Sequence, residues 1–381
     1  MDWALDDVHQ AFQATCRAFV DRQVRPVVDE AERLGYPPDR LWKELGSAGL
    51  LGLLTPAEYG GSGGDPLAVA LLAEEMARAS GGIAVTALVS AYMAAPHIVS
   101  YGSDEQRRRY LPGLVCGDKV AGIAVTEPGT GSDVASITTS AVRAGSGFRL
   151  NGRKMFITNA GLADVLIVAA RTTQAAGSRG ISTFLVDAGT PGLSFGTPLR
   201  KMGWHSSDTR EVVIDDVEVP AENLLGELDR GFYQIMAAFQ LERVTLAAMG
   251  LGHAAECLHL ATEHARVREV FGAPLAGLQT VRHRLAAMTV ELEAARMLTY
   301  RAAAQLGGDH PDARRSVAMA KYHAAIAANK IVDEAVQILG GSGFVEESPV
   351  ARHYRDARIL RIGGGADEIQ LEILTRELAP R

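Results

Sequence analysis

Phe148-Arg149-Leu150-Asn151-Gly152-Arg153-Lys154-Met155-Phe156-Ile157-Thr158 is built of short apolar and alternating runs around an Asn-Gly pair. A period of two marks strands that lay one face on a core. Runs of the same kind flank it: Ile123-Ala124-Val125, Val165 to Ala169, Thr183 to Val186 and Val212 to Val217. Asn-Gly, Gly-Ser and Pro-Gly pairs between them read as turns. Residues 119–222 therefore read as a small antiparallel β domain, a sandwich or barrel. No connecting segment is long enough for a helical crossover between parallel strands.

Outward from this domain the period changes to that of a helix. In residues 1–118, Val8, Phe12, Cys16, Phe19 and Gln23-Val24 recur every three or four positions. A glycine-rich loop from Tyr59 to Gly64 divides these first helices from a second group, Pro66 to Val115. Residues 223–381 are helical again, in longer pieces. Leu278, Val281, Leu285, Met288, Leu292, Ala295 and Thr299 form a near-heptad stripe, and another helix runs from Pro311 to a Gly340-Gly341 stop. With the helix from Arg230 to Val267 and the C-terminal segments, these predict a four-helix bundle. The fold class expected is α+β: a helical N-terminal domain, a central antiparallel β domain and a C-terminal bundle.

Composition narrows the function. The 381 residues are 47% hydrophobic and 22% charged, with a net charge of −7 and no basic block, which argues against nucleic acid as a partner. Cys16, Cys116 and Cys257 follow no metal or redox spacing and read as reduced thiols of a cytoplasmic protein. No basic-then-apolar leader opens the chain, and its alanine-rich runs are interrupted by Arg, Glu or His, so neither a signal peptide nor a membrane span is expected. Gly60-Gly61-Ser62-Gly63-Gly64 contains the Gly-x-Ser-x-Gly pattern, but it follows Pro56 between helices, not a strand. His259 and His264, five apart, fall on different helix faces, so no metal site is expected. No phosphate loop and no dinucleotide-binding glycine motif opens a helix.

Six segments, taken together and in this order, resemble the acyl-CoA dehydrogenase family over nearly the whole chain. They are Val125 to Asp133 (VTEPGTGSD), Asn151 to Asn159 (NGRKMFITN), Ser207-Asp208-Thr209 with its strand to Pro220, Arg268 to Gly272 (REVFG), Gln337 to Gly343 (QILGGSG), and Arg355-Asp356-Ala357-Arg358 leading into Gly363-Gly364-Gly365. The resemblance implies FAD, an acyl thioester carried by CoA or an acyl-carrier protein, and an electron-transfer flavoprotein as acceptor. It also implies a homotetramer, a dimer of dimers. By resemblance, Val125, Thr126, Gly131, Ser132, Phe156 and Thr158 contact the flavin. Arg268, Phe271, Gln279, Gln337 and Gly341 reach the diphosphate and adenine from the neighbouring subunit. Ser132 and Arg243 face the CoA portion, and Val89 and Met93, on a helix from Val85 to Val99, line the acyl tunnel. The residue types suit these tasks: a hydroxyl at a strand end can meet a ring edge, an aromatic supplies a flat wall, and Arg binds phosphate bidentately. One departure is Ala366, where the family often has Thr; a hydroxyl contact to the cofactor is absent there.

A second departure concerns the base. Many family members place the catalytic glutamate at the position matching Gly364, inside what is here a triple glycine. A subgroup resembling the long-chain and isovaleryl enzymes carries it in a Glu-Arg pair on the first bundle helix, and this chain has Leu241-Glu242-Arg243 there. Ile235, Phe239, Leu246 and Met249 surround Glu242 at helical spacing, so its carboxyl projects from an apolar stripe. Desolvation there raises its proton affinity, as a general base requires. The competing reading is a buried Glu242–Arg243 structural pair. By resemblance, Gly364 contributes a backbone N–H that polarises the thioester carbonyl. Two other readings stay open: a flavin monooxygenase or N-oxygenase on the same fold, and a non-catalytic thioester-binding protein.

Overall fold

The computed structural model describes residues 5–174 and 177–378. Seven helices precede the sheet: α1 (Asp7–Phe19), α2 (Val28–Leu34), α3 (Asp39–Ser47), α4 (Pro66–Ala79), α5 (Gly81–Leu88), α6 (Ala95–Tyr101) and α7 (Asp104–Val115). Their starts are written in the sequence. The Asp65 carboxylate accepts from the Ala68 N–H ahead of Pro66, and Ser103 with Gln106 forms a reciprocal capping box.

Between α5 and α6 the chain takes a π turn, Val89–Ala94, so the expected helix from Val85 to Val99 is continuous but carries an extra residue. The run Gly81–Tyr101 is also the one described helix long and apolar enough to cross a membrane, contrary to the expectation of none. In this fold 89% of its most apolar 18-residue stretch is buried, as the central strut of the helical core.

The sheet comprises β1 (Ala121–Ala124), β2 (Ser140–Ala144), β3 (Gly147–Thr158), β4 (Val165–Arg171), β5 (Ile181–Asp187), β6 (Leu193–Phe195), β7 (Thr209–Pro220) and β8 (Leu224–Leu225), in the order β6-β7-β3-β2-β4-β5-β8 with β1 on β4. Most pairings are antiparallel, but β1 and β2 each run parallel to β4, so the sheet is mixed. The crossover needs no helix because the β2–β3 hairpin itself carries the chain from β1 to β4.

The Asn-Gly pair is not a turn. Asn151 and Gly152 lie inside β3 at a register shift between Leu150 and Gly152, where the Asn151 side chain exchanges two 2.9 Å hydrogen bonds with Asp216 of β7. A Cβ at Gly152 would sit 2.4 Å from the Thr139 hydroxyl, so this close approach needs glycine. The hairpin turn is Gly145-Ser146 instead.

The C-terminal part is built on α8 (Gly231–Val267), α9 (Gln279–Gly307) and α10 (Ala313–Leu339), followed by α11 (Gly341–Phe344), α12 (Pro349–Ala357) and α13 (Asp367–Leu378). Helix α10 starts at Ala313 rather than Pro311. It packs on α8, α9 and α13, and α4 of the N-terminal part lies against α8 and α9, so one apolar core runs through both helical regions. The lower half of the stripe on α9 (Met288, Leu292, Ala295, Thr299) is buried, while Leu278 at its head is exposed.

Candidate active site

Helix α8 begins against the sheet and ends far from it. Ile235, Phe232, Met236 and Phe239 on its first turns pack with Val125, Val134 and Ile137 of the β domain. One turn later comes Glu242, half-buried, with buried Leu241 and Leu246 around it. Burial pushes its carboxyl up to about 7, while the charges of Arg243 and Lys321 hold it down against that rise.

The triple glycine meets this carboxylate directly. Gly364 and Gly365 have φ of 64° and 92°, in the left-handed region that favours glycine. A Cβ at Gly364 would lie 3.5 Å from Glu242 Oε1 and 2.5 Å from Leu246 Cδ1. The two places where a family base can originate thus address one volume in this chain. Arg243, only 6% exposed, donates from Nε to the Gly364 carbonyl at 3.1 Å. A guanidinium directed inward onto the turn supports it.

The loop after β1 is held against β3 by a buried ion pair that sequence reading missed. Lys154 (0% exposed) donates to Glu127 Oε1 at 2.9 Å and to the Val125 carbonyl at 3.0 Å. Glu127 also accepts from the Thr138 N–H, the Thr138 hydroxyl and the Thr139 N–H. Burial pushes Glu127 up, but Lys154 and these donors outweigh it and hold the carboxyl at about 2; burial lowers the Lys154 ammonium to about 8. The available signal was Lys154 on the core face of a strand, which demands a buried partner.

This clamp brings the flavin candidates together. Met155 donates its N–H to the Thr126 carbonyl at 2.9 Å across a second bulge, between Lys154 and Ile157. Phe156 stands on that bulge with φ 60° and 65% of its surface exposed, and Thr158 follows half-buried, so neither enters the core. Strict alternation is broken here, and the bulge, not the pleat, sets where the ring points. Gly131 and Ser132 are exposed, and a Cβ at Gly131 would meet nothing within 4 Å. A bare aromatic beside two threonines and an open glycine loop fits the ring of a flavin.

The remaining candidates lie elsewhere. Arg268 caps the far end of α8, and Phe271, 100% exposed with φ 52°, tips the short hairpin of Glu269–Val270 and Ala273–Pro274. Gln279, Gln337 and Gly341 are exposed at the ends of α9, α10 and the start of α11. Twenty-six residues of helix separate Glu242 from Arg268, which at ~1.5 Å per residue is about 39 Å. Arg268 and Phe271 therefore lie at the far end of α8 from the turns that pack on the β domain. Val89 and Met93, 8% and 5% exposed, belong to the same apolar core as Leu241 and Leu246. Among the described residues, no group of three His, Cys, Asp or Glu side chains is placed to hold a metal, and the three cysteines are free. Ser62, in the glycine loop, donates to the Gly49 carbonyl at 2.7 Å.

Comparison with known proteins gives the family of the chain. Residues 6–118, 122–217 and 229–379 match the N-terminal, middle and C-terminal domains of acyl-CoA dehydrogenase. The chain is 40% identical over 377 residues to the short-chain specific acyl-CoA dehydrogenase of Megasphaera elsdenii, covering 98% of each. It is 39% identical to the human mitochondrial short-chain specific enzyme, covering 98% of this chain and 90% of that one. Its fold superposes on the butyryl-CoA dehydrogenase of Megasphaera elsdenii with a TM-score of 0.95, at 39% identity and coverage of 99% and 100%. A chain solved in work on the electron transferring flavoprotein of Acidaminococcus fermentans gives 0.96, at 35% identity over all of both chains. From its helical ends through its mixed sheet to the turn facing Glu242, this chain belongs to the acyl-CoA dehydrogenase family.

Proposed function

We propose that this protein is an FAD-dependent dehydrogenase that converts a short-chain acyl-CoA to its trans-2-enoyl thioester, with Glu242 as the base. The observation that carries the reading is a carboxylate of raised proton affinity lying 3.5 Å from where a Gly364 side chain would begin. Bound FAD supplies the acceptor for the β-hydride. The protein's own part is to hold the thioester with its α-carbon against Glu242, exclude water with Leu241 and Leu246, and take the α-proton on the carboxylate. That proton is too weakly acidic without a donor on the thioester carbonyl, and the Gly364 N–H serves as that donor. The short-chain, CoA-linked substrate follows from the named relatives. An electron-transfer flavoprotein would be the electron acceptor for the FAD-loaded enzyme. An oxygenase on this fold has no use for a carboxylate here, and anaerobic bleaching by an acyl-CoA separates the two.

Activity should follow the ionisation of Glu242. Only the carboxylate accepts the proton, so kcat/KM falls below about pH 7 and levels off above it. The sign for stability is opposite. Because the folded pKa is raised, the group contributes stability at low pH that is lost as pH rises through about 7. Stopped-flow flavin reduction by butyryl-CoA across this range, beside thermal melts, checks both; an acid limb near pH 4.5 would show that Glu242 is not the titrating base.

The FAD half-site at Arg268 is completed by a second copy, in a dimer of dimers. Arg268→Ala should lower FAD retention about tenfold to a hundredfold, the range for a lost charge-assisted contact, with the fold intact. Flavin occupancy after gel filtration measures this, and full occupancy would misplace the diphosphate.

A further inference from the structure

Three helices send a donor to the two carbonyls of the glycine turn. Arg243 of α8 reaches Gly364 O, Lys321 of α10 donates to Gly365 O at 2.8 Å, and Gln370 of α13 donates to Gly365 O at 2.9 Å and to Gly364 O at 3.4 Å. In a trans peptide the carbonyl and the following N–H point opposite ways, so donors on these carbonyls turn the N–H groups of Gly365 and Ala366 away from the bundle. Among the described residues, the N–H groups of Gly364, Gly365 and Ala366 find no acceptor in the chain. The turn is held from behind, with its amides free.

Lys321 is the unusual member of the three. It is 1% exposed, yet its direct partner is a neutral carbonyl. Lysine is almost never fully buried without a contact carboxylate, because removing the ammonium from water is costly. The charges facing it are Asp367 at the start of α13, Glu242 and Arg243 on α8, and Arg361 before the turn. Those acting on Glu242 are Arg243 and Lys321, and Arg243 is itself faced by Arg314. A cation placed between the turn and the base, and not neutralised by contact, acts on both.

We infer that Lys321 is a positioning residue for the dehydrogenation: it anchors the Gly364-Gly365 turn through the Gly365 carbonyl and sets a positive charge opposite the Glu242 carboxylate. The inference rests on Glu242 being the base. No bond to substrate is made; Lys321 acts through the turn and through the base. The cation favours the carboxylate over the acid, so its removal raises the proton affinity of Glu242.

The test uses the FAD-loaded enzyme and butyryl-CoA, with limiting flavin-reduction rate and apparent Kd measured against pH. Lys321→Met removes charge and donor. Lys321→Gln removes the charge and keeps a shorter donor. Both should move the acid limb upward by about one pH unit, slowing reduction at pH 7 about fivefold with little change in Kd. At alkaline pH the Gln variant should recover further than the Met variant, because the turn keeps an anchor. If Lys321→Met fails to fold, the shifted limb of Lys321→Gln carries the test. The inference is overturned if the rate per bound flavin and its pH profile match the parent while only melting temperature or flavin content falls. Glu242→Gln is run alongside. Near-normal reduction there refutes the base itself, whereas a slow Glu242→Gln beside unshifted Lys321 variants refutes this inference alone.

Discussion

Glu242→Gln should bind FAD and acyl-CoA normally and reduce its flavin about 10²–10⁴-fold more slowly, the usual contribution of a positioned general base. The substitution is nearly isosteric, so the apolar surroundings of Leu241 and Leu246 are kept and only the proton acceptor is lost. Adding Gly364→Glu to that variant should restore part of the rate. A side chain starting at Gly364 begins 3.5 Å from the old carboxylate, so both origins serve one α-carbon. Rescue stays incomplete for two reasons read from the turn. Its φ of 64° costs a non-glycine residue roughly 1–2 kcal/mol, and the new Cβ would lie 2.5 Å from Leu246 Cδ1. The leucine can rotate away; the backbone cannot. Single-turnover bleaching with butyryl-CoA decides, and a Glu242→Gln enzyme within a few fold of the parent would sink the assignment.

The largest expected loss of stability is Lys154→Met. Removing the ammonium leaves the Glu127 carboxylate 4% exposed, with three neutral donors but no charge to balance it. Breaking one side of a buried pair costs about 3–5 kcal/mol. In the parent, the depressed Glu127 pKa contributes stability that is present above about 4.5 and lost as pH falls through about 2. In the variant the sign reverses: Glu127 becomes hard to ionise, so the deficit shrinks as pH falls and the acid form is populated. Because the same lysine holds the Val125 carbonyl, the loop carrying Thr126 and Gly131 should loosen and flavin content should drop with stability. Removing both charges, Lys154→Met with Glu127→Gln, should recover much of the loss. Denaturant melts of the three proteins check this; a single variant as stable as the parent would mean that solvent already reaches the pair.

What was legible in the sequence was local and periodic. The apolar stripe around Glu242 was readable because helix faces repeat within one turn, and the burial of Ile235, Leu246 and Met249 follows from it. What stayed hidden depended on partners distant in the chain. The anchoring bond of Arg243 could not be read locally, because its partner, the Gly364 carbonyl, comes 121 residues later. Asn151-Gly152 has turn chemistry, but Asp216 from a strand still to come pulls it into a bulge. The parallel pairing of β1 with β4 needs the whole intervening hairpin to be in place. Phe156 shows the same limit within the site: its residue type suits a ring wall, but its left-handed backbone comes from the register of β3 on β7.

Helix α8, continuous over 37 residues, carries the proposed base, Glu242, in its first half and is capped at its far end by Arg268, the proposed cofactor arginine. Under the proposed pairing these two ends serve different active centres, so a lesion at each is of a different kind. A chain lacking Glu242 still lends its Arg268 to a partner, and a chain lacking Arg268 still keeps its own base. A hybrid dimer of the two would contain one centre with both defects and one with neither. Two such variants, each impaired as a homodimer, should therefore complement when expressed together.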